Sequence, residues 1–283
     1  MTVTSTRNTR PRWAALPSRR PPRPRPTLFT LRVPISRPAR AILATASIVA
    51  PFVVWWLIAL GIDDPKVLPT PGAAVRAGIE LAREGLLWAD TWASVQRVLN
   101  GFGLAVLASV PLGLLMGSFR AGWSLFEPVL GVARYLPAAA FIPMLIAWQG
   151  LEEEPKYTLI FLATFFFNTL MTADVVRGVP AHLIDVSYTL GARTGEIVRK
   201  VIVPHSLPGI IDAIRVNAAA GWGYVVVAEL IASEAGLGFR INRAARFRNF
   251  DDMFAALIVI GLIGVVIDIA LRTLRDRIGR WQT

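Results

Sequence analysis

The stretch 41-AILATASIVAPFVVWWLIALG-61 is 21 residues long and contains no charged side chain. A helix rises about 1.5 Å per residue, so roughly 20 mainly apolar residues are needed to cross the hydrocarbon core of a bilayer. The length of this run and the lack of a convincing small-residue cleavage site favour an uncleaved anchor over a signal peptide. The run therefore predicts a membrane-spanning helix.

Apolar residues dominate the rest of the chain as well. Of its 283 residues, 54% are hydrophobic and only 17% are charged, which is too apolar for an ordinary soluble domain of this size. Five further runs have the length and composition of a span, and they cover residues 98–118, 123–148, 157–176, 209–232 and 254–272. We therefore expect an all-α, polytopic membrane protein whose six transmembrane helices lie within residues 41–283.

Glycine and proline mark two of these runs. The second run contains Gly101, Gly103, Gly113 and Gly117. Small residues of this kind allow helices to approach closely in lipid. The third run is interrupted by Pro128, Pro137 and Pro143. Because proline removes a backbone donor, we expect this segment to be kinked or broken and treat it as a candidate for lining a pathway.

The net charge of +11 belongs to an N-terminal tail. Residues 1–40 hold ten arginines and no acid, whereas residues 41–283 carry 20 basic and 19 acidic side chains. The tail includes 21-PPRPRP-26 and few apolar residues, so it is predicted to be a disordered cytoplasmic arm near anionic lipid headgroups. A role in binding nucleic acid is disfavoured, because aromatic residues that stack on bases are nearly absent.

Charged residues in the connecting segments predict the orientation. Arginine and lysine prefer cytoplasmic loops, and six spans place both termini on one side. The tail, Arg120, the interval 177–207 and the C-terminal arginines then lie in the cytoplasm, while the acidic turn 152-EEEPK-156 lies outside. We expect a bacterial inner-membrane protein with both termini cytoplasmic. The loop 233–252 is an exception, because it would be external yet is rich in arginine.

The sequence lacks the residues or motifs that several types of catalysis require. Cysteine is absent, and His182 and His205 are not spaced as metal ligands. The three lysines follow Pro65, Pro155 and Arg199, so the Gly-Lys-Ser/Thr step of a phosphate-binding loop does not occur. We expect a chain that is not an enzyme and that has no metal or cofactor of its own.

The polar interval 185-DVSYTLGARTGEIVRKVIVP-204 separates the fourth and fifth runs. Apolar residues recur at helical spacing on both sides of Gly191. Two short amphipathic helices are predicted to meet at this glycine, which tolerates the left-handed conformation that ends a helix. Pro204 is expected to stop the second helix. On shape alone, an ordinary surface helix between two spans fits equally well.

The spacing in this interval resembles the signature loop of ABC importer permeases. That pattern runs Glu-Ala-Ala, three residues, Gly, nine residues, Ile, one residue, Leu-Pro. Gly191 and Pro204 match outright. Conservative replacements stand at Asp185, Val201 and Val203, whereas Val186 and Ser187 depart from the two alanines.

Further segments extend the resemblance from about Leu68 to Trp281. They are similar to the nitrate, sulfonate, taurine and bicarbonate branch of binding-protein-dependent permeases. The segments are 68-LPTPGAAV-75, 136-LPAAAFIPMLIAWQG-150, 226-VVAEL-230, 236-GLGFRI-241 and 260-IGLIGVVIDIALR-272. The resemblance implies the type I ABC importer permease fold.

In that family the signature loop forms a coupling helix that lies in a groove of an ATP-hydrolysing subunit. The resemblance implies ABC ATPase subunits that bind ATP, an extracytoplasmic solute-binding protein, and a permease homodimer in membrane lipid that imports a small anionic solute. The residues implied to couple to the ATPase are Asp185, Leu190, Gly191, Ala192, Arg193 and Pro204. A short amphipathic helix with a charged rim suits docking in such a groove.

Polar and aromatic residues within the spans are candidates for a pathway wall. They are Asn100, Trp148, Asn168, Asn217 and Trp222, with Arg240 and Arg243 in the external loop. Arginines 240, 243, 246 and 248 would offer an electropositive mouth to an anion or, equally well, form salt bridges with Asp251, Asp252 and a partner surface.

Other ionisable residues in apolar runs are more simply explained by local pairing. Asp212 is three residues from Arg215, and Asp268 is four residues from Arg272. These spacings predict ion pairs on one helical face. Glu229 is expected to cap or pair near the outer end of the fifth span.

A secondary transporter or channel that needs no ATPase is the alternative class. Such a protein would more naturally show an internal inverted repeat or a buried relay of carboxylates. The sequence shows neither clearly.

Overall fold

The structure is a computed structural model that describes residues 35–282 except positions 63, 65 and 232. The chain divides into two units, residues 1–54 and residues 55–283. Most of the predicted basic tail, up to residue 34, lies outside the described residues. In the first unit the described part is the beginning of helix α1 (Arg37–Ile62), which starts four residues before the predicted span.

Helices make up the second unit, and no strand occurs among the described residues. After α1 the helices are α2 (Pro71–Arg83), α3 (Leu86–Ser118), α4 (Arg120–Ala133), α5 (Ile142–Gln149), α6 (Glu154–Arg177), α7 (Ala181–Thr189), α8 (Thr194–Ile197), α9 (Val203–Glu229), α10 (Leu237–Arg246) and α11 (Phe250–Ile278). Short 3-10 segments cover Ala138–Phe141 and Gly279–Gln282, and a π-helical turn covers Val198–Ile202.

The predicted spans correspond to helices of suitable length. Five described helices are long and apolar enough to cross a membrane, and a bent pair makes a sixth if it counts as one span. In that pair, Arg120–Ala133 and Ala138–Gln149 meet at 80°. Pro137 lies in the break and Pro143 in the first turn of α5. The prediction of a broken third segment is confirmed at Pro137, whereas Pro128 lies inside α4 and does not interrupt it.

Helix α3 packs closely along α6, and α6 packs on α9. A Cβ built on Gly101 would lie 2.7 Å from the Tyr157 carbonyl oxygen, and one on Gly113 would lie 2.8 Å from that of Thr169. Gly117 is similarly close to α6, which confirms the predicted role of these three glycines. At Gly103 a Cβ would meet nothing within 4 Å, so the prediction was wrong for this residue.

Pro204 does not stop the helix before the fifth span. Residues Thr194–Glu229 form one continuous helix through the π-helical turn. In that turn the N–H of Val203 donates to the carbonyl of Val198, five residues earlier. Proline has no N–H and its ring clashes with the carbonyl four residues before it. The wider turn directly before Pro204 accommodates this, so the predicted helix end was wrong.

Candidate functional site

The end of α7 and the turn that follows it expose apolar side chains. Leu190 is 81% exposed, and Val186 and Tyr188 are 56% and 50% exposed. We call these three residues the corner face. Gly191 reverses the chain there with a φ of 81°, a left-handed value that glycine adopts without steric cost. The prediction that two helices meet at Gly191 is confirmed.

Buried apolar residues anchor the segment beneath the corner face. The cluster consists of Val176, Val179, Ile197, Ile202 and Ile210, with Ile184 and Ala192 packed against it. These residues belong to α6, α7, α8, α9 and the turns between them. Because packed interiors transmit displacement, a force on the corner face would reach both α6 and α9.

The remaining predicted coupling residues occupy different positions. Asp185 and Arg193 are exposed. The backbone N–H of Arg193 donates to Glu196 Oε2 at 3.1 Å, which fixes the start of α8. Pro204 is half-buried within the continuous helix. Asp185 and Arg193 are thus open to a partner, whereas Pro204 shapes the helix behind them.

Arg97, in the N-terminal part of α3, lies at the centre of a buried ionic network. Its guanidinium donates to Glu153 at 2.7 and 2.8 Å, to Glu229 at 3.0 Å and to the Ala235 carbonyl at 2.7 Å. The side chain of Arg97 is 6% exposed and that of Glu229 is fully buried. A buried charge is costly unless it is paired and hydrogen-bonded. These bonds join α3, the start of α6 and the end of α9, and they confirm that Glu229 pairs.

The N-terminus of α10 completes this network with backbone donors. The N–H groups of three successive residues donate to Asp90 (2.9 Å), Ser94 (2.9 Å) and Glu229 (2.6 Å), the donors being Gly236, Leu237 and Gly238. Gly236 has a φ of 133°, and the Glu229 carboxylate fills the space that a Cβ would take. Glycine is therefore required at this position.

Arg240 belongs to the same network and not to an open surface. It is buried and lies 2.6 Å from Asp90 Oδ2. Arg240 is therefore not available to the predicted electropositive surface of the external loop. Arg240 pairs with Asp90 and not with the predicted Asp251 or Asp252, because the start of α3 packs beside α10.

Glu153, in the turn before α6, has a perturbed pKa. The hydrogen bond from Arg97 lowers the pKa of Glu153 from 4.5 to about 2, with Lys156 adding to the effect and partial burial opposing it. Lys156 is buried and its Nζ lies 2.9 Å from Glu153 Oε1. The carboxylate is therefore held ionised well below its usual range.

A cavity of about 380 Å³ opens beside α10. Its lining includes Arg243 and Arg246 together with Ser233 and Asn242, and also Glu229, whose carboxylate is paired with Arg97. Within the described part of the chain, neither arginine lies within ion-pair distance of a carboxylate. Two uncompensated guanidinium groups next to an amide and a hydroxyl suit an anionic ligand.

Two of the predicted pathway residues form a polar link inside the bundle. Asn168 Nδ2 donates to Ser109 Oγ at 2.6 Å, and Asn217 Nδ2 donates to Asn168 Oδ1 at 3.4 Å. Asn168 and Asn217 are buried. Their hydrogen bonds link α3, α6 and α9, and neither asparagine side chain faces an open surface.

The other predicted pathway residues are scattered. Trp222 is buried and its Nε1 donates to the Ile260 carbonyl at 2.9 Å, which holds α9 against α11. Asn100 is exposed, and Trp148 is 71% exposed. The structure therefore does not bring the predicted wall together within one chain.

Ion pairs also connect α9 with α11. Arg215 contacts Asp212 at 3.2 Å, as predicted, and Asp268 at 3.0 Å. Arg275 reaches Asp212 at 3.0 Å. The predicted partner of Asp268 within its own helix, Arg272, was wrong, because the adjacent helix supplies a nearer cation.

A family comparison decides the class of this helical chain. Residues 109–281 match the model of the binding-protein-dependent transport system inner membrane component. The chain belongs to this family. The residues that match the family model include α6, the corner face, the apolar cluster beneath it and α11.

Similar proteins agree with this assignment. The permease is 38% identical to a putative ABC transporter permease protein of Methanocaldococcus jannaschii over 81% of this chain and 88% of that protein. It is 31% identical to the taurine transport system permease protein TauC of Escherichia coli, with 89% and 93% covered. An inward-facing structure of the MetNI methionine ABC transporter covers 70% of this chain and 98% of its own, with a TM-score of 0.63 and 18% identity.

These likenesses confirm the predicted class. The chain is a multi-pass permease subunit of an ABC importer, and at 18% identity the MetNI structure supports its type I fold alone. Nothing in the comparisons favours the alternative transporter or channel that acts without an ATPase.

The sequence prediction missed most of the network around Arg97. Asp90, Ser94 and Arg97 are spaced by four and three residues, which places them on one face of α3. Polar residues at this spacing, next to an apolar run, were the sequence feature that could have indicated a polar cluster at the start of α3.

Proposed function

We propose that the permease docks a separate ABC ATPase through the corner face, and that a second copy of the permease completes the pathway. The observation that carries the proposal is Leu190, which is 81% exposed on a segment whose base is buried between α6 and α9. An exposed apolar face on an anchored segment suits a groove on another protein. ATP binding by that partner would move the corner face and, through it, the spans.

Truncation of Leu190 tests the docking. The full-length permease is expressed with a candidate ATPase from a neighbouring gene, and Leu190→Ala is compared with Leu274→Ala, another exposed leucine, in α11. Because burial of an exposed leucine side chain contributes about 1.5–3 kcal/mol, Leu190→Ala should weaken ATPase binding about tenfold or more, measured by copurification and titration. Equal binding by both variants would contradict the proposal.

We place the corner face and both termini in the cytoplasm. The proposal is supported by the arginines and lysine of the interval 177–207 and by the arginines near the C-terminus, which the positive-inside rule assigns to that side. Because α9 crosses between them, the corner face and α10 then lie on opposite sides of the membrane. The cavity beside α10 faces the side from which a solute-binding protein would deliver its ligand.

We infer that the imported solute is a small organic anion with a sulfonate group. Two observations support this: the similarity to a taurine transport permease, and the two uncompensated arginines in the cavity beside α10. Guanidinium groups form charge-assisted hydrogen bonds with the oxygen atoms of such anions.

Neutralising the cavity tests the solute class. Arg243→Gln/Arg246→Gln is compared with Arg76→Gln/Arg83→Gln, which removes two exposed charges from α2. With the ATPase and binding protein present, the cavity variant should need about tenfold more taurine for half-maximal uptake, because two charge-assisted contacts are lost. The measurement is uptake of labelled taurine against concentration. No taurine uptake by the unaltered transporter, or the same dependence in both variants, would contradict the solute proposal.

A further inference from the structure

A larger cavity lies beside the turn between α3 and α4. Its volume is about 610 Å³, within the range of roughly 300–1,000 Å³ that is typical of ligand pockets. The apolar lining residues with accessible surface are Phe119, Trp123, Ala181 and Ile184, whereas Met116, Val176 and Ile202 also border the cavity but are buried. Polar residues line the rest, namely Ser118, Arg120, Ser124 and Arg177. The cavity is therefore amphiphilic.

Two cations of this cavity carry little compensating charge. The guanidinium carbon of Arg177 lies 4.1 Å from the centroid of the Trp123 ring, which holds the side chain by a cation–π contact. The ion-pair contact of Arg177 with Asp174 is long, at 3.9 Å, and that carboxylate is 69% exposed. Arg120 has no ion-pair partner in the part of the chain that the structure describes.

A hydroxyl group and a helix terminus add to the attraction for an anion. The Oγ of Ser118 is buried and has no hydrogen-bond partner among the described residues. Leaving a buried hydroxyl unpaired is costly, and rotation of the Ser118 side chain towards an anion in the cavity would remove that cost. Helix α4 begins at Arg120 without a side-chain cap, and the free N–H groups of such a terminus favour negative charge.

We propose that this cavity binds the phosphate group of an anionic phospholipid from the cytoplasmic leaflet. The phosphate would contact Arg120, Arg177 and Ser118, while the lipid's glycerol and acyl chains would cover the apolar lining. The amphiphilic cavity favours a lipid over free phosphate, which would leave that lining bare. The cavity lies at the ends of α3 and α6, where a spanning helix meets the headgroups. The leaflet follows from the orientation proposed above, whereas the site itself is independent of the solute.

Lipid retention by the purified full-length permease tests the site. The variant Arg120→Gln/Arg177→Gln is compared with Arg272→Gln/Arg277→Gln, which removes two exposed arginines of α11 near the same side. Each protein is incubated in mild detergent with phosphatidylglycerol or phosphatidylcholine, with and without inorganic phosphate, and retained lipid is counted by native mass spectrometry. Arg120→Gln alone replaces the double variant should the latter not remain folded by size-exclusion chromatography.

The Arg120→Gln/Arg177→Gln variant should retain about tenfold less phosphatidylglycerol, while the Arg272→Gln/Arg277→Gln control should retain as much as the unaltered permease. Equal loss in both variants would show general attraction to charge and would overturn the site. Retention of inorganic phosphate alone, with displacement of the lipid, would overturn the lipid in favour of a free anion. Unchanged lipid retention with lost ATPase copurification would overturn it in favour of a protein contact.

Discussion

At the scale of single residues, Arg97 shows what a buried charge contributes to this permease. Desolvation offsets most of the attraction within a buried ion pair, whereas removing one partner leaves an unpaired charge and costs about 3–5 kcal/mol. Arg97 contacts groups from three segments through Glu153, Glu229 and the Ala235 carbonyl. Its main effect is therefore to select one arrangement of the helix ends, since any other arrangement leaves a charge unpaired.

The lowered pKa of Glu153 gives this network a defined pH dependence. The fold favours the ionised carboxylate, so its stabilising contribution is complete above about pH 4.5 and is lost as the pH falls towards about 2. The difference in Tm between the unaltered permease and Glu153→Gln should be constant above pH 4.5 and shrink between pH 4.5 and 2. Thermal unfolding in detergent over this range measures it.

Glu152→Gln is the matched control, because Glu152 is an exposed neighbour with the same side chain. Its Tm should differ little from that of the unaltered permease across the same range. A difference for Glu153→Gln that is independent of pH would contradict the role assigned to ionisation.

The sequence predicted part of the residue-scale chemistry. The pairing of Glu229 and of Asp212 with Arg215 was expected, because a charge in an apolar segment requires a partner. The partner of Asp268 and the role of Arg97 were not predicted. Both depend on which helices become neighbours, which the spacing within one helix does not determine.

At the scale of helices, the contact between α3 and α6 depends on glycines on one face. Cβ atoms on Gly101 and Gly113 would meet carbonyl oxygens of α6, whereas one on Gly103 would meet nothing within 4 Å. Lipid gives helices no hydrophobic reason to associate, so close packing must hold them together.

Alanine substitutions at two of these glycines should have opposite effects. Gly113→Ala places its methyl group 2.8 Å from a backbone oxygen, which should destabilise the permease by about 1–3 kcal/mol. Gly103→Ala has room and gains helix propensity, so it should be neutral or stabilising by up to about 1 kcal/mol. The Tm of each variant in detergent measures this. A similar loss at both positions would contradict the packing argument.

The helices themselves could largely be predicted from the sequence. Length and composition are local properties, so the six apolar runs and the break at Pro137 were recognised without knowledge of the fold. Pro204 shows the limit of such rules. A proline is expected to kink or end a helix, but here the turn before Pro204 is widened and accommodates it, and the buried residues Ile197 and Ile202 keep that segment packed.

At the scale of the whole permease, α9 connects an apolar cluster at one end of the helix with an ionic network at the other. It begins next to the apolar cluster beneath the corner face and ends at Glu229 in the network around Arg97. Apolar contacts are non-directional, whereas the ionic network has defined partners and distances. A partner that moves the corner face would therefore act on the far end of α9 through a continuous helix of 36 residues, Thr194–Glu229.

Gly191 is the residue on which this connection depends. Its φ of 81° is left-handed, and a Cβ there would meet nothing within 4 Å. Any penalty for a side chain is therefore conformational, about 1–2 kcal/mol for most residues and less for asparagine. Gly191→Val should reorient the corner face and abolish uptake while the spans stay inserted, whereas Gly191→Asn should keep most of the uptake. Uptake and ATPase copurification are measured beside the amount of each variant in the membrane. Loss of insertion in Gly191→Val would indicate a folding role instead, and full uptake by that variant would show that the geometry of the corner face is not needed.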